Sequence, residues 1–563
     1  MLLHAFWYAV VGVSALLLVR LFKRRTVLDN LPGPPPGSFI FGHLPRLFNR
    51  YAWDFHREII YKYGPVSKLD TFFGTKCLYV FDPKALHNIV VKEQHIYEET
   101  PVFLNFNRIV FGAGLLSSLG EEHRRHRKIL NPVFNINHMR YMTPIFYRVV
   151  HKMRNAIANE VESGVQEIDM LNWMTRAALE LVGQGGLGHS FDSLEKDELN
   201  PFAEDIKALM YSALLIFIVI AALPFFASIG SPQFRRRLVE MIPYWRVRRS
   251  LEISDALDKT SREILRRKRE ALAQGDEAVS RQVGEGKDIM SVLLRENMAA
   301  SEEDRMPDTE LLGHMTHVPR AFIATLFFTD RIRVDCRQLI FAAMETTSGA
   351  LAHILHLLAE HQDIQDKLRE EILKAKEEFN GEDIPYDTLV SLPYIEAVCR
   401  ESLRLYAPLT TINKTAIKDT VMPLSEPIRG VDGTMISEIP IAKGTDIMVG
   451  IWGSNINPAL WGDDAEVFKP ERWLKPLPEA VSEARIPGVY SNLMTFLGGG
   501  RACIGFKFSQ LEMKVVLSIL IESFKFELPE GKEIYWNNAG VQYPSVGRDG
   551  SKSELPLKVT LVK

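Results

Sequence analysis

The stretch Phe496-Leu497-Gly498-Gly499-Gly500-Arg501-Ala502-Cys503-Ile504-Gly505 constrains this chain more than any other feature. A cysteine stands behind an arginine in a glycine-rich loop, and a helical run is expected from about Phe508. A thiolate so placed meets the partial positive charge and free N–H groups of a helix N-terminus, while glycine lets the backbone approach a flat ligand. That chemistry suits an axial ligand to haem iron. A phosphate loop would need Lys and then Ser or Thr after its second glycine, but Phe506-Lys507 follow Gly505. A dinucleotide fingerprint would need a preceding strand and a downstream acid, and neither is evident. A buried structural thiol is the ordinary reading of a lone cysteine, so the rest of the chain must decide.

The four cysteines, Cys77, Cys336, Cys399 and Cys503, are too scattered for a disulfide framework or a zinc site, so the catalytic part is expected to face a reducing compartment. Over 563 residues the formal charge is only −3, and nothing points to nucleic acid.

From Leu2 to Phe22 the chain is almost uncharged apart from Arg20, and it continues as Lys23-Arg24-Arg25. This reads as a single-pass membrane anchor over residues 1–25, with the following domain on the cytoplasmic side. A cleaved signal would carry its charges before the apolar run. Residues 26–50, including Leu31-Pro32-Gly33-Pro34-Pro35-Pro36-Gly37, read as a proline-stiffened linker, and 51–563 as one domain. Short β-rich runs such as Leu78-Tyr79-Val80-Phe81 come early. Helical stripes dominate later, as in Leu351, Ile354, Leu355, Leu358 and then Ile364, Leu368, Ile372. The expected fold is mainly α with a minor β-sheet behind a transmembrane helix. A second apolar stretch, Ser212 to Ile229, contains Pro224 and precedes the basic Arg235-Arg236-Arg237, which suits a pocket cover touching the membrane surface rather than a second span.

Three further groups carry chemistry. Glu401 and Arg404 lie three apart in an apolar helical segment, and Arg472 follows in Phe468-Lys469-Pro470-Glu471-Arg472-Trp473. Taken alone, such a pair is ordinarily a solvated salt bridge. Glu345 and Thr346 sit mid-helix among small residues, where polar groups are costly unless they line a cavity or bond a ligand. His123 and Arg127 stand one helical turn apart.

In this order these residues resemble the cytochrome P-450 family of haem-thiolate monooxygenases, in its microsomal, fungal-like form, and the resemblance runs from the anchor to the end. Phe496, Gly499, Arg501, Cys503 and Gly505 match the family's cysteine motif. The resemblance implies haem b with Cys503 as the proximal iron ligand, Arg501, Arg127 and His123 at the propionates, and Glu401, Arg404 and Arg472 as a buried cluster bracing the proximal core. It implies that Glu345 and Thr346 relay protons to bound O2. Electrons would come from NADPH through a cytochrome P-450 reductase, for which Arg124, Arg125, Arg127 and Lys128 form a candidate docking face. The expected site is the endoplasmic reticulum membrane. The expected substrate is a lipophilic small molecule, terpenoid, sterol or fatty-acyl-like, of secondary metabolism, since Phe103 to Phe111, Leu209 to Phe226, Phe341 to Thr347 and Ala407 to Ile412 should line the pocket and are largely apolar. The alternatives are a haem-thiolate isomerase, dehydratase or peroxygenase, or an inactive haem-binding homologue. Two positions depart from the family: His123 stands where Trp is frequent, and Ala343 where Gly is usual.

Between His317 and Leu339 the family's oxygen-binding helix runs straight on, but here Val318-Pro319-Arg320 through Cys336-Arg337-Gln338 intervene without a helical stripe. Removing residues 318–338 restores one continuous helix. Valine codons begin GT and one glutamine codon ends in AG, so the segment reads as a retained in-frame intron or insertion.

Overall fold

Leu351, Ile354, Leu355 and Leu358 fall on one face of a 23-residue helix in the computed structural model, and each is completely buried. The structure describes residues 26–110, 114–195, 263–275, 277, 283, 286–299 and 338–562. The main core is built on helices α1 (Gly120–Leu130), α2 (Ile136–Glu162), α3 (Met170–Leu181), α4 (Gln338–Glu360), α5 (Gln362–Glu377), α6 (Pro393–Leu405) and α7 (Phe506–Ser523). Helix α4 lies against α3, α6 and α7, and α7 lies against α2 and α5. Ile364, Leu368 and Ile372 form the buried face of α5. Charge placement supports α1: Glu121 and Glu122 occupy its first turn, Arg127 and Lys128 its last, each complementing the helix dipole.

Leu78, Tyr79 and Val80 belong to the strand Lys76–Val80. It sits in a five-stranded sheet ordered Val66–Asp70, Lys76–Val80, Asp446–Gly450, Thr411–Ala416, Tyr97–Glu99. The pairing of Lys76–Val80 with Asp446–Gly450 is parallel, and the other three are antiparallel. Both faces of Lys76–Val80 are covered: Cys77 and Tyr79 join the helical core, while Leu78 and Val80 join a second core with Leu28, Leu31 and Val449. A strand buried on both faces reads as a continuous apolar run. The helix-rich fold with minor sheets is the one expected from the stripes.

The expectation that residues 26–50 act as a spacer needs correction. Leu31 is fully buried and Leu47 nearly so, and Lys68 N–H donates to Pro32 O at 2.8 Å. The reason is local. Leucines interleaved with the prolines supply apolar anchors, and each proline in extended conformation costs little entropy when it packs. The folded domain therefore reaches back to about Thr26 rather than starting at Tyr51. No helix among the described residues is long and apolar enough to cross a membrane. The expected anchor at 1–25, the stretch 212–229, Cys336 and residues 318–337 lie outside the described residues. Gln338, the last residue of the suspected insertion, is already the first of α4.

Candidate functional site

The cysteine loop is held in a shape that ordinary residues resist. Leu497 and Gly499 take left-handed φ values of 55° and 64°, strained for leucine and free for glycine. A Cβ on Gly499 would lie 1.8 Å from the Val90 carbonyl oxygen, so the loop can pack there only as glycine. Cys503 N–H donates to Phe496 O at 2.9 Å and Gly500 N–H to Gln94 Oε1 at 2.7 Å. The Phe496 and Phe506 rings meet 4.8 Å apart, with Tyr490 beside both. Gly505 then caps α7.

Cys503 is accessible, whereas Cys77 and Cys399 are buried. Its thiol is nonetheless desolvated, so its sulfur faces a recess in the fold rather than the outer surface. Burial raises the Cys503 thiol, while the Gly505 N–H and the Arg127 charge pull it back. Burial drives Cys399 up to about 12 and Cys77 further, which leaves both as inert core thiols.

Three basic residues gather by the loop. Arg127 Nη1 donates to Ala502 O at 2.9 Å, and Arg501 Nη2 to Ser118 O at 2.8 Å, with Glu98 at 3.4 Å. His123, buried on α1, is pushed down to about 3 by desolvation and then by Arg501 and Arg127. Arg127 is lowered by burial and by Arg501, although the Cys503 charge raises it. The expected basic face of α1 therefore divides: Arg124 and Lys128 are exposed, while Arg127 turns inward.

This donor set fits haem. Cations crowded together in low dielectric call for anions, and haem brings two carboxylates. A Cβ built on Gly505 would meet only Cys503 Sγ, at 4.0 Å, so the backbone beside the sulfur leaves room for a flat ring. The thiol, the helix N-terminus and the arginines together match an iron macrocycle with acidic side arms.

Behind the loop, Glu401 and Arg404 are completely buried on α6. Glu401 accepts from Arg404 Nε at 2.9 Å and Nη2 at 2.8 Å, from Trp473 Nε1 at 2.9 Å, and from Lys469 N–H and Arg472 Nε at 3.2 and 3.3 Å. Arg472 also bonds Asp464 at 2.9 Å. The structure thus brings together the three charges read from sequence, and their burial replaces the solvated salt bridge expected of the helical pair alone.

Sequence reasoning missed the link between this cluster and the loop. Arg404 Nη1 donates to Asn455 O at 3.0 Å, and the Asn455 side chain takes Met494 N–H at 2.8 Å and gives to Thr495 Oγ1 at 2.8 Å. Thr495 in turn donates to Leu403 O at 2.8 Å. The only sequence signal was a pair of small polar residues, one of them next to Phe496.

Glu345 and Thr346 are half-buried on α4. The Thr346 hydroxyl donates to Ala342 O at 2.6 Å, within its own helix. Three of the stretches expected to line a pocket have described residues. One of them, Ala407 to Ile412, meets the hairpin Ile534–Ala539 and Val541–Val546, where Leu409 bridges Val541; α4 nears the same hairpin just past Thr347, where a Cβ on Gly349 would lie 3.5 Å from Gln542 O.

The sequence model of the cytochrome P-450 family matches residues 32–541. The chain is 56% identical over 546 residues to cytochrome P-450 monooxygenase 91 of Postia placenta, covering 97% of this chain and 96% of that protein. It is 46% identical over 542 residues to a ganoderic acid synthetase of Ganoderma lucidum, covering 95% and 94%. A cytochrome P-450 monooxygenase of Hericium erinaceus is 37% identical over 562 residues, covering 98% and 97%.

Proposed function

The chain belongs to the cytochrome P-450 monooxygenases, and from that membership we propose that it inserts one oxygen atom of O2 into a lipophilic small molecule of secondary metabolism, with haem b held by Cys503. The observation that carries the assignment is Cys503 itself: an accessible, desolvated thiol at a helix N-terminus, beside Arg127 and a glycine-walled recess. Haem b, when bound, supplies the iron at which O2 is activated.

The chain's own residues do the rest. Arg127 and Arg501 would hold the two propionates, and His123 would add a hydrogen bond. The Glu401, Arg404 and Arg472 cluster fixes the loop from behind through Asn455 and Thr495. Thr346 keeps its hydroxyl proton oriented on Ala342 O; it would give that proton on the oxygen side of the site, and Glu345 would resupply it. Electrons come from NADPH through a membrane-bound flavoprotein reductase, for which the exposed Arg124 and Lys128 offer positive charge. Residues 1–25 anchor the enzyme in the endoplasmic reticulum membrane with the domain cytoplasmic. The largely apolar stretches expected at the pocket support a terpenoid, sterol or acyl-like substrate, and the name of the ganoderic acid synthetase relative supports secondary metabolism.

The reduced, CO-treated protein tests the ligand assignment. Wild type should show the long-wavelength Soret band of a thiolate-ligated haem, and Cys503→Ala should lose it. A variant that keeps the band would exclude Cys503 as the ligand.

A further inference from the structure

A cavity of about 290 Å³ lies between the helix Trp53–Glu58, the end of α6 and the strand Ile534–Ala539, and no residue of the cysteine loop lines it. That volume is at the lower end of small-molecule sites. Its walls are aromatic. Trp53 and Trp452 meet edge to face at 4.8 Å, and Trp536, Tyr406 and Tyr535 complete the lining. Each indole N–H is already engaged inside the protein: Trp53 with Trp536 O at 2.8 Å, Trp452 with Leu405 O at 2.8 Å, Trp536 with His356 Nδ1 at 3.2 Å. The indoles therefore offer carbon surface rather than donors to an occupant.

The four charges at this cavity, two of each sign, are unequally paired. Arg57 is neutralised by Glu466 at 2.8 Å. Arg548, at the rim, has Asp54 only at 3.8 Å, and the two side chains are 61% and 79% exposed. The Arg548 guanidinium lies over the rings of Tyr51 and Tyr535, 5.1 and 5.8 Å from their centroids. A loosely paired cation above an aromatic wall suits an anionic group attached to a flat ring system.

The same aromatic wall grips α4. His353, two helical turns beyond Thr346, is sandwiched between Tyr406 and Trp536 with centroids 3.8 and 3.7 Å away and ring planes within 21° and 19°. Tyr406 also leads directly into Ala407 to Ile412. An occupant pressing on these rings bears on the helix that carries Glu345 and Thr346.

We propose that this cavity is a second ligand site, that it takes a flat fused-ring lipophile carrying a carboxylate, and that its occupation is transmitted through Tyr406, Trp536 and His353 to α4. The transmission rests on the reading of α4 as a wall of the haem site; the binding does not. The test uses the haem-loaded full chain with its iron ligated by an imidazole-bearing inhibitor, so that the haem pocket is filled. Pyrene-1-carboxylate is titrated in, with pyrene-1-methanol as the uncharged control. Saturable tryptophan quenching with sensitised pyrene emission is expected, and Arg548→Gln should weaken the carboxylate roughly tenfold while leaving the alcohol unchanged. Absence of saturable transfer, or equal carboxylate affinity in wild type and Arg548→Gln, would overturn the site. The probe and the inhibitor should shift each other's dissociation constants by one common factor. Binding with no mutual shift would overturn the transmission to α4.

Discussion

Replacing Glu401 by Gln changes one atom in a cluster where each oxygen edge is already committed. The Oε2 edge takes Arg404 Nε and Trp473 Nε1, and the Oε1 edge takes Arg404 Nη2, Lys469 N–H and Arg472 Nε. Whichever way the amide turns, its NH2 faces at least two donors that have no water to turn to, because Glu401 and Arg404 are completely buried. Each orphaned buried donor costs about 1–3 kcal/mol, so two cost ~2–6 kcal/mol. Breaking a buried ion pair by removing one partner costs about 3–5 kcal/mol on independent grounds. The two routes converge near 4 kcal/mol, a large part of the ~5–15 kcal/mol that holds a typical protein folded.

Asp464→Asn provides the control. Asp464 bonds the same Arg472 at 2.9 Å, and that direct bond lowers its carboxyl, but its side chain is 38% exposed and the pair is screened by solvent, so the loss should be under about 1 kcal/mol. Urea unfolding of the haem-loaded proteins, followed by far-UV circular dichroism and by the thiolate Soret band, measures both variants. Glu401→Gln should lose the Soret band at a much lower urea concentration than Asp464→Asn. If the two midpoints coincide, the cluster does not brace the proximal core.

Thr346→Ala should raise NADPH consumption per product formed, because the oriented hydroxyl proton is gone; unchanged coupling would remove Thr346 from the relay. Burial lowers His56 from 6.5 to about 4, so on acidification the unfolded chain takes the proton first. Its effect is absent above pH 6.5, and stability is lost as pH falls from 6.5 towards 4. His56→Phe should therefore unfold with a flatter pH dependence, by ~2 kcal/mol between pH 6.5 and 5, and an unaltered slope in urea midpoints would refute the burial argument. Amplification across residues 317–339 from mature transcript should give a dominant product lacking the codons for 318–338; a dominant product containing them would end the intron reading.

Much of the proximal side was legible because its chemistry needs residue types that stand out in any sequence. A glycine-rich loop ahead of a helix, an acid and an arginine in an apolar helix, and a later arginine between aromatics each cost free energy unless something compensates. What stayed illegible was the connective tissue. Asn455 and Thr495 are ordinary residues whose value comes from where Met494 N–H and Leu403 O happen to lie, and backbone partners leave no trace in side-chain pattern. Residues 26–50 misled for a related reason. Proline spacing reports stiffness and says nothing of the surface that the stiff segment lies on, so the burial of Leu31 and Leu47 could not be read. The aromatic cavity escaped notice because its walls are drawn from four distant segments, each of which resembles plain core.

The replacement of the family's frequent Trp by His123 follows from the same charge accounting that makes the recess fit haem. On the proposed reading Arg127 and Arg501 would supply two positive charges for two propionates, and the Cys503 charge favours Arg127 further. A third permanent cation would be in excess, and a residue with no donor would forfeit a hydrogen bond. Trp meets both conditions through its indole N–H, and His123 meets them because burial and the two arginines push its pKa down to about 3, which leaves a neutral imidazole with one N–H to give.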